Sequence, residues 1–163
     1  MENIQTITPC LWFDGQAEEA ATFYTSVFKN SSIGHVTRVG EASAKVSGQV
    51  VGSVLAIDFQ LDGRPFSAIN GGPMFKFNEA ISFQINCQTQ NEVDYYWEKL
   101  SAVPEAERCG WLKDRFDVSW QVIPMVLFKM LADPDPEKSQ RAMQAMLQMK
   151  KLDIDKLERA YAG

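Results

Sequence analysis

The sequence has 163 residues, 45% of them hydrophobic, which fits one domain of ordinary size and excludes wholesale disorder. With 16 Lys and Arg against 21 Asp and Glu, the net charge is −5, which argues against a nucleic-acid partner. No apolar run approaches the ~20 residues of a membrane span, no secretory leader is visible at the N-terminus, and the odd count of cysteines (Cys10, Cys87 and Cys109) suits a reducing cytoplasm better than a disulfide framework.

A first strand is predicted from Ile4 to Phe13, with Ile7, Pro9, Leu11 and Phe13 on one face and Thr8, Cys10 and Trp12 on the other. Asp14-Gly15 breaks it, and a helix from about Ala17 to Phe28 follows, with Ala20, Phe23, Tyr24, Val27 and Phe28 on its apolar face. Ser32 to Val39 reads as a second strand. From Gly40 to Gly52 the composition turns to Ala, Ser, Gly, Lys and Val, which reads as a flexible loop or hairpin arm. Ser53 to Leu61 alternates as a strand, Asp62-Gly63 signals a hairpin, and Arg64 to Ile69 returns.

The order then recurs. Ala80 to Cys87 is a strand with Ile81, Phe83, Ile85 and Cys87 on one side and Ser82, Gln84 and Asn86 on the other. Asn91 is the expected N-cap of a helix whose face is Val93, Tyr96, Trp97 and Leu100. A Pro/Glu-rich link from Val103 to Cys109 leads to a hairpin, Trp111 to Lys113 and Val118 to Ile123, around the turn Asp114-Arg115-Phe116-Asp117. Asp58, Asp62 and Asp114 are expected to be solvated groups at strand ends and turns. Met125 to Leu131 is a short apolar helix, Asp135 caps another with Pro136 at its first position, and Asp153 caps the last. Met143, Met146, Leu147 and Met149 form a sulfur-rich stripe, read as packing filler.

The halves align: Val27 falls on Leu100, Phe13 on Cys87 and Ser67 on Ser119. Both read strand, helix, strand, strand, strand, with the first strand after the helix weak in the second copy. The predicted fold class is α+β: two βαβββ modules with curved mixed sheets, about 1–73 and 79–124, and a helical tail, 125–163, in a single domain.

Several strings are similar to one family. Ile7-Thr8-Pro9-Cys10-Leu11-Trp12-Phe13-Asp14-Gly15-Gln16-Ala17-Glu18-Glu19-Ala20, Phe23-Tyr24, Ile69-Asn70-Gly71-Gly72-Pro73, Cys109-Gly110-Trp111-Leu112-Lys113-Asp114, Val118-Ser119-Trp120-Gln121-Val122-Ile123-Pro124 and the tail Met149-Lys150-Lys151-Leu152-Asp153-Ile154 resemble the PhnB-like branch of the vicinal-oxygen-chelate superfamily, the fold of glyoxalase and bleomycin-resistance proteins. The resemblance departs at Asp117, where the branch usually has Gly in the turn. In the wider superfamily it implies a divalent metal held by His or Glu from four strands. The corresponding positions here are Thr8, Ile69, Ser82 and Gln121. None is an imidazole or a carboxylate, and the one histidine, His35, lies elsewhere, so no metal and no cofactor are expected. Many members carry a methyltransferase name. The only glycine pair, Gly71-Gly72, is followed by Pro73, which does not suit a nucleotide-type cofactor at a helix N-terminus.

The expected ligand-binding residues are Thr8, Cys10, Trp12, Ile69, Ser82, Gln84, Asn86 and Gln121. Amides and an indole lining a cleft, at the module or dimer interface, suit an aromatic or heterocyclic small molecule. The leading expectation is a metal-independent small-molecule-binding protein. The alternative is a superfamily enzyme (isomerase, lyase or dioxygenase) with a non-standard site. The arm at 40–52 and the apolar run Met125-Val126-Leu127-Phe128 point to a homodimer. No nucleic-acid or membrane partner is expected.

Overall fold

A computed structural model describes residues 5–163, and their packing falls into two units with the boundary between Lys76 and Phe77. The first unit contains β1 (Cys10–Phe13), α1 (Ala17–Val27), β2 (Ser32–Arg38), α2 (Glu41–Ser47), β3 (Val54–Leu61) and β4 (Arg64–Asn70). Its sheet runs β1-β4-β3-β2, with β1 parallel to β4 and the other pairs antiparallel. The period-2 alternation sends Ile57, Phe59 and Leu61 of β3, with Phe66 and Ala68 of β4, to one buried face. Ala17, Ala20, Ala21, Tyr24 and Val27 of α1 are buried too, and α1 lies on β3 and β4. The alanines let the helix approach closely, and Tyr24 stacks on Phe59, which stacks on Phe66. Asp62 and Gly63, both at positive φ, make the two-residue turn.

Asn70 holds the entry to α1. Gln16 offers no side-chain cap there. Asn70 Oδ1 instead accepts the Ala17 N–H at 2.9 Å, while its Nδ2 donates to the Val54 carbonyl at 2.9 Å. A helix N-terminus is thus capped from the end of a strand 53 residues away in the chain.

Two expectations change here. The first strand begins at Cys10; Pro9 has no N–H to give, Ile7 is exposed, and Ile4 lies outside the described residues. Residues 40–52 are not a loop or hairpin arm throughout: they contain α2, opened by Gly40, whose N–H donates to Ser43 Oγ, and closed by Gly48 in the left-handed region. None of the residues of α2 is buried, so it carries no apolar stripe to read.

The second unit contains β5 (Phe83–Cys87), α3 (Gln90–Leu100), a 3₁₀ turn (Pro104–Ala106), β6 (Trp111–Lys113), β7 (Ser119–Pro124), α4 (Met125–Leu131), α5 (Pro136–Leu147) and α6 (Ile154–Ala162). Its sheet runs β5-β7-β6, with β5 parallel and β6 antiparallel to β7. The weak strand after the helix does not form, so this module is βαββ and its sheet has three strands. Pro104 lacks a donor and the flanking Glu and Ala residues favour strands poorly. The link covers the outer edge of β6 instead: Ala102 N–H donates to Lys113 O, and Arg108 and Trp111 exchange backbone hydrogen bonds. α3 is capped by Thr89, not Asn91. Thr89 Oγ1 accepts the Glu92 N–H, and the Glu92 carboxylate accepts the N–H groups of Gln88 and Thr89.

The tail belongs to this second unit. Ile123, Leu127, Met130, Ala142, Leu152 and Leu157 form a buried cluster, with Met146, Met149 and Tyr161 packed against it. Half of the apolar run in α4 therefore has its partners inside the unit, while Met125 and Phe128 remain partly exposed. Asp135 and Asp153 cap α5 and α6, and Pro136 opens α5, as predicted. The observed class is mixed α+β: two small sheets of four and three strands plus C-terminal helices. Among the described residues, no helix is long and apolar enough to cross a membrane.

Candidate functional site

The sheet of the first unit leaves one face open. Trp12 lies beside Ile69, and Ile69 beside Ala56; two residues back, Cys10 lies beside Ser67 and Ser67 beside Asp58. Trp12 is half-buried and fixed: its Nε1–H donates to Gly72 O at 2.8 Å, and the Phe75 ring meets it edge-on at 4.8 Å. A Cβ on Gly71 would run into the indole, so glycine is required beneath it. Of the four expected residues of this module, Trp12 and Ile69 are neighbours and Cys10 shares their face. Thr8 stands exposed ahead of the strand.

In the second unit, Gln84 and Gln121 are register partners, and Gln121 Nε2 donates to Ser82 Oγ at 2.9 Å. Gln84 Nε2 donates to Asn86 Oδ1 at 2.6 Å, with both residues exposed. Cys87 points to the opposite, buried face, where loss of solvent, with Glu92 second, pushes its thiol up to about 12.

Three features of this unit lay outside the sequence expectations. Asp114 is fully buried rather than solvated. Its Oδ1 accepts the N–H groups of Phe116 and Val118 at 2.8 and 3.1 Å, and its Oδ2 accepts Trp120 Nε1–H at 2.8 Å. These bonds shape the turn in which Asp117 takes φ 65°. A groove of about 590 Å³ lies along β6, walled by Trp111, Lys113, Ser119, Val103, Arg108 and Glu79. None of the eight expected residues lines it. In it, Lys113 Nζ and Glu79 Oε1 pair at 2.7 Å, which together with a backbone hydrogen bond and nearby Arg108 holds the Glu79 carboxyl below its ordinary range. Finally, Ser119 Oγ is buried without a hydrogen-bond partner, which costs about 1–3 kcal/mol. No sequence pattern marks the groove, because Glu79 and Lys113, which pair in it, lie far apart in the chain.

The four positions at which the superfamily resemblance implies a metal do not fit one. Ile69 has no donor atom, Thr8 is exposed outside the strand, and Ser82 and Gln121 are bonded to each other. All four are neutral, whereas a divalent ion needs carboxylate or imidazole ligands. Among the described residues, no three His, Cys, Asp or Glu side chains come together as a metal site, and His35 stands exposed on β2.

Two small mixed sheets of four and three strands, each with a helix on one face, together with the C-terminal helices define a mixed α+β class of protein. The sequence profile described as 3-demethylubiquinone-9 3-methyltransferase matches residues 5–123, and the chain belongs to that PhnB-like family. Pro124 to Gly163 lie beyond the match. A PhnB protein from Bacillus cereus, provisionally described as a 3-demethylubiquinone-9 3-methyltransferase, is 34% identical, with 74% of this chain and 99% of that one aligned and a TM-score of 0.61. Protein PA1353 from Pseudomonas aeruginosa is 18% identical over 74% of this chain and 98% of that one, with a TM-score of 0.55, and shows the fold alone. No curated protein matches.

Proposed function

We propose that this chain, within the vicinal-oxygen-chelate superfamily, is a metal-independent binding protein for a small aromatic or heterocyclic molecule. The observation that carries this reading is the donor set at the four implied metal positions: a hydrocarbon side chain, an exposed threonine, and a serine and glutamine already engaged with each other. The same surfaces suit ligand contact. Trp12, held flat by Gly71 and Phe75, offers a rigid indole, and Gln84, Asn86 and Gln121 offer amides. Methyl transfer, the activity in the family's description, finds less support: the glycine pair Gly71-Gly72 serves to seat Trp12. We place the protein in the cytoplasm as a homodimer, the second point resting on the exposed Val46, Val50 and Val51 around α2.

The test is metal content in untagged protein from cells grown with Ni, Zn, Fe and Mn. Sub-stoichiometric traces are expected; one equivalent of any of these ions, lost when Gln121 and Ser82 are replaced by Ala, overturns the reading. Calorimetry with S-adenosylmethionine is expected to give no heat of binding.

A further inference from the structure

The groove of the second unit lies outside the residues of that reading and has its own chemistry. Lys113 is only 18% exposed in its side chain, so water screens its charge weakly. Glu79 pairs with it, and Arg108 lies near enough to act on the same carboxylate while making no ion pair of its own among the described residues. Lys113 is thus neutralised by Glu79, which leaves Arg108 as the cation of the lining without an ion pair among the described residues. Ser119 is the register partner of Lys113, so the two share a sheet face, and its buried Oγ has no partner. Trp111, half-buried, supplies a planar wall and Val103 an apolar one. The volume, about 590 Å³, suits a molecule of one or two rings.

We propose that this groove binds a small aromatic monocarboxylate, its ring against Trp111 and its carboxylate between Arg108 and Lys113, with the Ser119 hydroxyl turned onto it. A carboxylate takes two parallel bonds from a guanidinium, which a neutral amide does not. Glu105 and Asp117, both exposed, also line the groove, and with Glu79 they set three carboxylates against two cations, so a second negative charge on the ligand, as in a phosphate or a dicarboxylate, is repelled.

Indole-3-carboxylate and its neutral analogue indole-3-carboxamide separate the possibilities, followed by calorimetry and by the NMR signals of the four tryptophan indole N–H groups. The acid is expected to bind with a Kd of roughly 1 mM or tighter, to shift the Trp111 signal, and to bind at least about tenfold more tightly than the amide at low salt. Arg108→Ala, at an exposed position, and Ser119→Ala, which removes an unpaired hydroxyl, are each expected to weaken the acid about fivefold or more while the fold is kept. Equal affinity for acid and amide, an unchanged Kd in Arg108→Ala, or a shift confined to Trp12 overturns the proposal. Metal content does not bear on it, so its failure is distinct from failure of the function proposed above.

Discussion

Replacing Asp114 by Asn is the sharpest test of how the second hairpin is held. The side chain keeps its shape, but one acceptor becomes a donor. With the amide oxygen facing Phe116 and Val118, the amide nitrogen faces Trp120 Nε1–H, donor against donor. Losing a hydrogen bond to a buried carboxylate costs about 1.5–3 kcal/mol. Turning two charge-assisted backbone bonds into neutral ones adds about 1–2 kcal/mol. Removing a buried charge returns about 1 kcal/mol. The net expectation is a loss of about 1.5–4 kcal/mol, read by urea denaturation followed through tryptophan emission, with the m-value unchanged. Trp120→Phe breaks the same bond from the other side. The double variant should therefore cost about 1–2 kcal/mol less than the two single losses added together. A loss below about 1 kcal/mol, or strict additivity, would show that Asp114 does not organise the turn.

Gly71→Ala should push the Trp12 indole off its seat and break its bond to Gly72, at about 1–3 kcal/mol; a displaced indole N–H resonance is the readout, and an unmoved one refutes the account. Thr89→Ala should cost about 1 kcal/mol in urea denaturation, and Asn91→Ala less than about 0.5, because the cap is Thr89. Acid should act most on the second unit. Asp94, through a hydrogen bond from Lys151, Glu107, through the Ser101 hydroxyl, and Asp153, through the Lys156 N–H, all have folded values below the ordinary one. Their stabilisation is present above the unfolded carboxylate value near 4 and is lost as pH falls through the lower folded values. Amide-exchange protection should therefore decline more steeply with acid after Phe77 than before it, and the reverse order would contradict this.

What could be read from the chain was whatever repeated or punctuated it. Asp62-Gly63 and Asp133-Pro134-Asp135-Pro136 mark their turn and helix start because backbone conformation and missing donors act locally. α2 carries no apolar periodicity because nothing on it is buried, and only Gly40 and Gly48, at its cap positions, bracket it. Thr89-x-x-Glu92 has the spacing of a capping box, whereas Asn91 has only the residue type of a cap. The faces of Trp12 with Ile69, and of Gln84 with Gln121, follow from alternation and strand pairing. The burial of Asp114 and the groove along β6 do not, because both depend on which distant donors and charges the hairpin and the link bring together.

The tail meets the hairpin at two points: Cys109 N–H donates to Met149 O and Gly110 N–H to Lys150 O, both at 2.8 Å. Gly110, at φ +85°, also lies where a Cβ would press on Ile123 and Leu152. The donors sit inside the stretch matched by the family and the acceptors outside it. The border of homology is therefore not a border of folding. A chain trimmed to the matched length would carry two severed backbone bonds and a bared Ile123, so changes made after Pro124 should be felt in the sheet of the second unit.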